Sequence, residues 1–436
     1  MTETERAFAR AGAGAPHEPQ WLSEARDAAL RLFAAEGLPD RKVEAFHFTD
    51  LHALVREPFP PLGNAGVRGP TSVAHKALAL RLAAHVVPVL NGLLHTDLSA
   101  GRALPEGVEL VPLGVATVSA PELARLAFDD VPESRADTLR TLNTAFARDG
   151  AVIRVRAGVD APLIVLDHKA TLDARGSIHL RHLIVVEEGA SAEIVEIFDA
   201  RGAASLTTAV TFVSLAAGAR LTHTKLVKGD AQTINLSRSD ARIGAGAQYR
   251  LYVQGADAGL AREEAVVQLA GEGAQFSVGG SLLVAGERHF DLTARIDHQA
   301  RHGTSEMSAR GVIAGHSRAV VQGAVRVAPG AQHTEANQQI RGLLLSDRAE
   351  FDSKPELEIL ADDVKCAHGA ASGDLDREAI FYLRSRGIPE GEARALLVEA
   401  FLEQGLAPID NQPLREFMRE GMQSWLKTLR EVRDAR

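Results

Sequence analysis

The densest chemistry in this chain lies in one short stretch, Asp362-Asp363-Val364-Lys365-Cys366-Ala367-His368-Gly369. Written as an extended strand, it sends Val364, Cys366 and His368 to one side and Asp363 and Lys365 to the other. A thiol and an imidazole two residues apart on one strand face form a natural ligand pair for a soft or borderline metal. The same two residues also make a small buried hydrophobe beside a hydrogen-bonded ring. Cys366 is the only cysteine among 436 residues. It has no intrachain disulfide partner, and a reducing, cytoplasmic setting is expected. An iron–sulfur cluster usually takes four protein ligands, mostly thiolates. One cysteine cannot supply them, so any cluster held here would be shared with another polypeptide.

Other chemistry is sparse. His223, His289, His298, His302, His316 and His333 are scattered along the chain. A metal or acid–base site built from them is conceivable, and polar positions on ordinary strands explain each equally well. The Walker A pattern is missing, so no nucleotide is expected to bind in the P-loop manner. Gly244-Ala245-Gly246 lacks the third glycine of a dinucleotide fingerprint and reads as turn chemistry. Gly-x-Ser-x-Gly, His-Glu-x-x-His and Cys-x-x-Cys are absent. The net charge of −9 gives no basic footprint for nucleic acid. No apolar run approaches the roughly 18 residues of a membrane span, and Met1–Pro16 lacks the apolar core of a signal peptide.

The elements that must position these residues announce themselves by a repeat. Gly189-Ala190, Gly218-Ala219, Gly246-Ala247, Gly273-Ala274, Gly303-Thr304 and Gly330-Ala331 are spaced 29, 28, 27, 30 and 27 residues apart. A fixed period of this size marks stacked supersecondary units. Each step leads into an alternating segment such as Ala192-Glu193-Ile194-Val195-Glu196-Ile197 or Leu221-Thr222-His223-Thr224-Lys225-Leu226. Period-two alternation cut by glycine turns indicates strands, and no helical segment separates them. A parallel β-solenoid is predicted, one coil per repeat, each coil burying its inward residues against its neighbours.

Residues 1–17 are expected to be disordered, and 18–150 to form an N-terminal α/β helical region. Within it, helices are predicted over Trp21–Glu36 and Thr138–Arg148, with Ser119 capping another. His85–Gly92 reads as a strand entering an Asn-Gly turn. The aromatic cluster Phe46-His47-Phe48 reads as a packing clamp for the N-terminal helix. The β-helix core is placed at 151–372 and a C-terminal helical domain at 373–436. Three helices there should close the end of the solenoid. Their apolar face carries Ile380, Leu383, Leu396, Leu397 and Phe401, rimmed by Arg384, Arg386 and Arg394.

The run from Leu343 to Ile359, followed by Asp362–Ala370, Gly373-Asp374-Leu375-Asp376 and Phe381–Ile388, closely resembles the C-terminal signature of the SufB/SufD family of iron–sulfur cluster assembly proteins. Val43–Leu51 is similar to that family's W-K/R-Y-T-x-L element, with Phe46, His47 and Phe48 departing from it. The resemblance implies a right-handed parallel β-helix between helical segments. It also implies a non-enzymatic scaffold subunit that pairs with a SufB-like paralogue and the SufC ATPase. The resemblance further implies that the SufB branch of the family carries additional cysteines, so with Cys366 alone the chain is similar to the other branch. A transient Fe–S cluster would be shared across the paralogue interface, with His368 the favoured ligand and Cys366 beside it. Leu345 and Val364 are expected at that interface, and the C-terminal apolar face at the ATPase. Two rivals are a β-helix enzyme acting on polysaccharide and a self-sufficient homodimeric scaffold. Aromatic content of 5% weighs against sugar stacking.

Overall fold

The computed structural model describes residues 3–11, 18–62, 72–128 and 135–434, with side chains to residue 429. Two sheets dominate it. Strands from alternate halves of each repeat join different sheets, so the chain winds through one and then the other. The long sheet has 11 strands and runs in spatial order from His85–Leu90 through Asp160–Lys169 and Ser191–Asp199 to Glu335–Leu344 and finally Lys365–Gly373. The short sheet has 9 strands and ends on Glu350–Ile359. All solenoid pairings are parallel, giving about eight turns of parallel β-solenoid. Val108–Pro112 joins the short sheet antiparallel, and the predicted Asn91-Gly92 turn links His85–Leu90 to Leu93–Leu94 with Leu90 opposite Leu93.

Register explains both the repeat and its misreading. The left-handed corner of successive turns falls on Gly189, Gly218, Gly246 and Gly273, with φ of 65°, 66°, 61° and 69°. At the next two turns the corner falls on His302 and His333, with φ of 58° and 60°. Gly303 and Gly330, which continued the repeat in the sequence, do not occupy it. Gly303 is small for another reason: a Cβ there would come within 2.8 Å of the His298 ring.

Each sheet's outer face is covered by one end of the chain. Leu206, Leu236 and Leu260 of the short sheet pack under Phe8, Phe33, Phe46 and Leu142. Val165, Ile197, Leu283 and Val312 of the long sheet pack under Val398, Leu402, Met418 and Trp425. The C-terminal helices Arg377–Ser385, Glu390–Leu406 and Gln412–Asp434 therefore lie along the solenoid's flank and do not close its end. Apolar strand positions on that flank demand the cover more strongly than the end does. Residues Glu3–Ala11 correct the expectation of a disordered start, because Phe8 packs edge-on to Phe33 and anchors a helix. Residues 1–2 and 12–17 lie outside the described residues. Ser119 ends a helix, Leu113–Ser119, where the sequence reading had it begin one.

The clamp reading of Phe46 holds. Its ring is fully buried, 4.3 Å from the Arg262 guanidinium. Arg262 itself donates to Glu264 at 3.0 Å, to the Ala45 carbonyl at 3.0 Å and to Asp291. Thr49 bonds His289 at 3.0 Å and also Asp291. The N-terminal region is thus pinned to the solenoid at this point by a buried arginine and its carboxylates, as Arg181 and Arg238 pin it elsewhere through Asn143, Thr144 and Asp137. Phe46→Ala should cost about 3–5 kcal/mol, read as a lowered urea midpoint with the same slope.

Buried histidines set a second expectation. Burial pushes His179 and His182 down to about 3, and His289 and His298 to about 4. The folded chain therefore resists protons that the unfolded chain accepts near 6.5. Stability contributed by neutral rings is complete above that value and is lost as pH falls from 6.5 towards 4. The urea midpoint should fall steeply across that interval, and His298→Gln should flatten the slope.

Candidate functional site

The solenoid ends on two strands that each have a neighbour on one side only: Lys365–Gly373 in the long sheet and Glu350–Ile359 in the short one. On Lys365–Gly373, Cys366 lies opposite Ala336, His368 opposite Gln338 and Ala370 opposite Ile340. Those three partners are buried and point into the solenoid, so Cys366 and His368 share the interior-facing side, as the alternation predicts. No further turn covers them among the described residues. Cys366 is half-buried and packs with Val364 against the interior core, whereas His368 is exposed.

Electrostatics separate the pair. Burial pushes the Cys366 thiol up, partly offset by a backbone hydrogen bond. Lys365 does not favour the thiolate, because it projects to the opposite face and its ammonium donates to Glu335 at 2.9 Å. The sulfur is therefore held as a thiol, and the accessible donor is the imidazole of His368.

The residues expected to dock an ATPase divide in two. Ile380 is buried against the long sheet, and Leu397 and Phe401 pack on the same cluster, so these three belong to the protein's own core. Leu383 is half-buried; Arg384 and Arg386 are exposed. Leu396 is 42% exposed, and Phe381 and Tyr382, which the expected docking set leaves out, are 74% and 56% exposed. Helical periodicity found the apolar face correctly but could not say that the long sheet already covers it. Leu345 is half-buried beneath the C-terminal helices, while Val364 sits at the open end.

A second polar cluster lies inside the first turns. Glu196 faces His168 and His182, all three buried, with Glu196 Oε2 at 3.6 Å from His168 Nε2 and 3.7 Å from His182 Nε2. Its other oxygen takes a hydrogen bond from Thr211 at 3.0 Å and lies 2.8 Å from His223 Nε2. The spacing suits a metal, and the tautomer does not. The Ala151 amide donates to His182 Nδ1 at 2.9 Å, which leaves the neutral ring's proton on Nε2, facing Glu196. A ligating imidazole donates its second N–H instead of accepting there. Burial pushes the Glu196 carboxyl up, but Lys225 and the imidazoles together hold it well below the usual carboxylate range. The cluster is a buried carboxylate hydrogen-bonded by Thr211 and close to His223, with the His168 and His182 rings facing its other oxygen beyond hydrogen-bond distance. His168 and His182 drew no attention in the sequence because their convergence exists only once the coils stack.

Comparison with known proteins bears on both regions. Residues 169–401 match the SufBD core domain of the SUF system for FeS cluster assembly, and residues 12–165 match the SufBD protein N-terminal region. An iron–sulfur cluster assembly SufBD family protein of Synechocystis is 26% identical over 415 residues, covering 92% of this chain and 91% of that one. The iron–sulfur cluster assembly protein SufD of Escherichia coli is 28% identical over 398 residues, covering 89% of each. No helix among the described residues is long and apolar enough to cross a membrane. With more than half of its length matching the core domain, and its two-sheet solenoid ending on the Cys366–His368 strand, this chain belongs to the SufBD family of iron–sulfur cluster assembly proteins.

Proposed function

We propose that this chain is a non-catalytic, cytoplasmic SufD-type scaffold that completes its open end with a SufB-like paralogue and carries a SufC-type ATPase on its C-terminal helices. One observation carries the reading: an exposed imidazole, His368, on the interior-facing side of a strand with a free edge. A strand edge with unpaired backbone groups is a template for another chain. The two edges differ in that capacity. Glu350–Ile359 contains Pro355, which has no amide hydrogen to offer, whereas Lys365–Gly373 has no proline and is rich in small residues. Pairing along the long-sheet edge would bring the partner's side chains over His368. A nascent cluster would then be held by His368 from this chain and by thiolates from the other. Such mixed, incomplete ligation suits a cluster that must later be released.

His368→Ala should lower the iron content of the reconstituted three-component complex while both partners still co-purify. Cys366→Ser should do less, because the sulfur is held as a half-buried thiol. Wild-type cluster yield in His368→Ala overturns the assignment. Val364→Glu should separate the paralogue pair on a sizing column; Leu345 is the poorer probe, since a charge there first disturbs the chain's own helices.

ATPase docking is assigned to Phe381, Tyr382 and Leu396, with Arg384 and Arg386 as the charged rim. Removing residues 376–436 would strip the cover from the long sheet, so surface variants make the cleaner test. The pair Phe381→Asp and Leu396→Asp should abolish ATPase capture with no loss of thermal stability. Unchanged capture would leave these residues without that role.

A further inference from the structure

The corner column that carries glycine through the early turns changes chemistry at the open end. In-register pairing places Gly246, Gly273, His302, His333 and Asp363 at one position on successive turns, each two residues before a paired strand start. Successive turns are about 4.8 Å apart, and the His302 and His333 rings stack with centroids 4.7 Å apart and planes 22° from parallel. Both histidines take the left-handed conformation that the preceding four turns give to glycine. Non-glycine residues adopt it at some cost, so two in succession call for an explanation.

The surrounding donors supply one. His333 Nδ1 lies 2.9 Å from Asp363 Oδ2, and the Asp363 backbone is fixed by the Gln332 side chain at 2.9 Å. A carboxylate at Nδ1 holds the proton there and leaves Nε2 as a free lone pair, the arrangement usual behind a metal-bound imidazole. His302 Nε2 lies 3.9 Å from Glu272 Oε1. One ion with bonds of about 2.1 Å to each would bridge that gap. Stacked nearly parallel, the two rings do not aim both lone pairs at one point, so joint ligation requires a rotamer change at His302 or His333. The histidines are 52% and 40% exposed and the acids 68% and 75%, which leaves them room to make it. Arg301 brings one positive charge to the adjacent column, against Glu272, Asp362 and Asp363.

We propose that this corner binds a first-row divalent transition metal through His302 and His333, with Glu272 as the oxygen donor and Asp363 orienting His333. Mixed imidazole and carboxylate ligands favour such ions over magnesium or calcium. The column ends three residues before Cys366, on the segment leading into the candidate cluster strand. That this ion is ferrous iron, held as cargo, rests on the assembly function proposed above; the site itself does not.

The full-length chain, freed of metal, is titrated calorimetrically with Co(II), Zn(II) and, anaerobically, Fe(II). One ion per chain is expected. The double variant His302→Gly and His333→Gly restores the residue used by the earlier turns, so it should fold with an unchanged or higher melting temperature. It should weaken binding at least tenfold, and Asp363→Asn should weaken it severalfold. His368→Ala should leave the affinity unchanged, which separates this site from the cluster ligand whatever becomes of cluster assembly. Undiminished binding in the double glycine variant, or loss of binding in His368→Ala alone, overturns the proposal. Binding of Co(II) and Zn(II) without Fe(II) overturns the iron assignment.

Discussion

The structure depends on one constraint: parallel coils hydrogen-bonded in strict register. Once Gln248 pairs with Gln275, and Gln275 with Thr304, every residue in a turn has a fixed neighbour one turn away. A side chain's surroundings are then set by the residues a turn before and after it, more than by its neighbours in sequence. A one-residue slip would reverse every inward and outward position. Register therefore creates columns, and columns create sites. The interior of the solenoid is filled by Ile194, Leu221, Tyr249, Phe276 and Met307 from successive turns. The same rule stacks His302 on His333 and sets His368 over Gln338.

Register also explains why charged residues are buried. A parallel sheet presents two faces, and in a solenoid the outward one is apolar only where another element covers it. Under the N-terminal region the outward residues include Arg238, Arg262, Glu264 and Asp291, nearly all inaccessible. They persist there because they answer one another: Arg238 lies 3.2 Å from Glu264, and Arg262 reaches Glu264 and Asp291. Removing one partner would strand a buried charge, a costlier loss than deleting the pair. The result is a specific seat for the N-terminal segment, with Phe46 over Arg262 as its key. The interior hub at Glu196 differs in kind: Lys225 supplies the compensating charge, and the histidine rings around the carboxylate supply polar contacts.

Much of this was legible in the chain, for physical reasons. Alternation of side-chain type follows strand geometry directly, so the strands, the Asn91-Gly92 turn and the shared face of Cys366 and His368 could be read before folding. The period was legible too, because a left-handed corner selects glycine. It misled at Gly303, where glycine answers to the His298 ring, and at the true corners, where histidine stands instead. Faces were harder. Periodicity shows that Ile380, Leu397 and Phe401 share a side with other apolar residues, but not which surface buries them. Convergence was hardest: His168, His182 and Glu196 come from three strands, and nothing local marks them.

The two ends of the solenoid show how differently a repeat can stop. At its start, the antiparallel strands Leu93–Leu94 and Val108–Pro112 turn the edges back on themselves. At its finish no such turn occurs among the described residues, and the last strands bear the only cysteine and an exposed histidine on the interior side. Edges of this kind promote unwanted pairing, and proteins usually blunt them. Here Pro355 blunts one edge, and the other is left smooth and nearly free of bulk from Ala367 to Gly373. An edge blunted in one sheet and open in the next leaves the Lys365–Gly373 strand as the smoother template among the described residues. That strand carries His368, so under the function proposed above the pairing that extends the sheet also brings the partner's side chains to the imidazole.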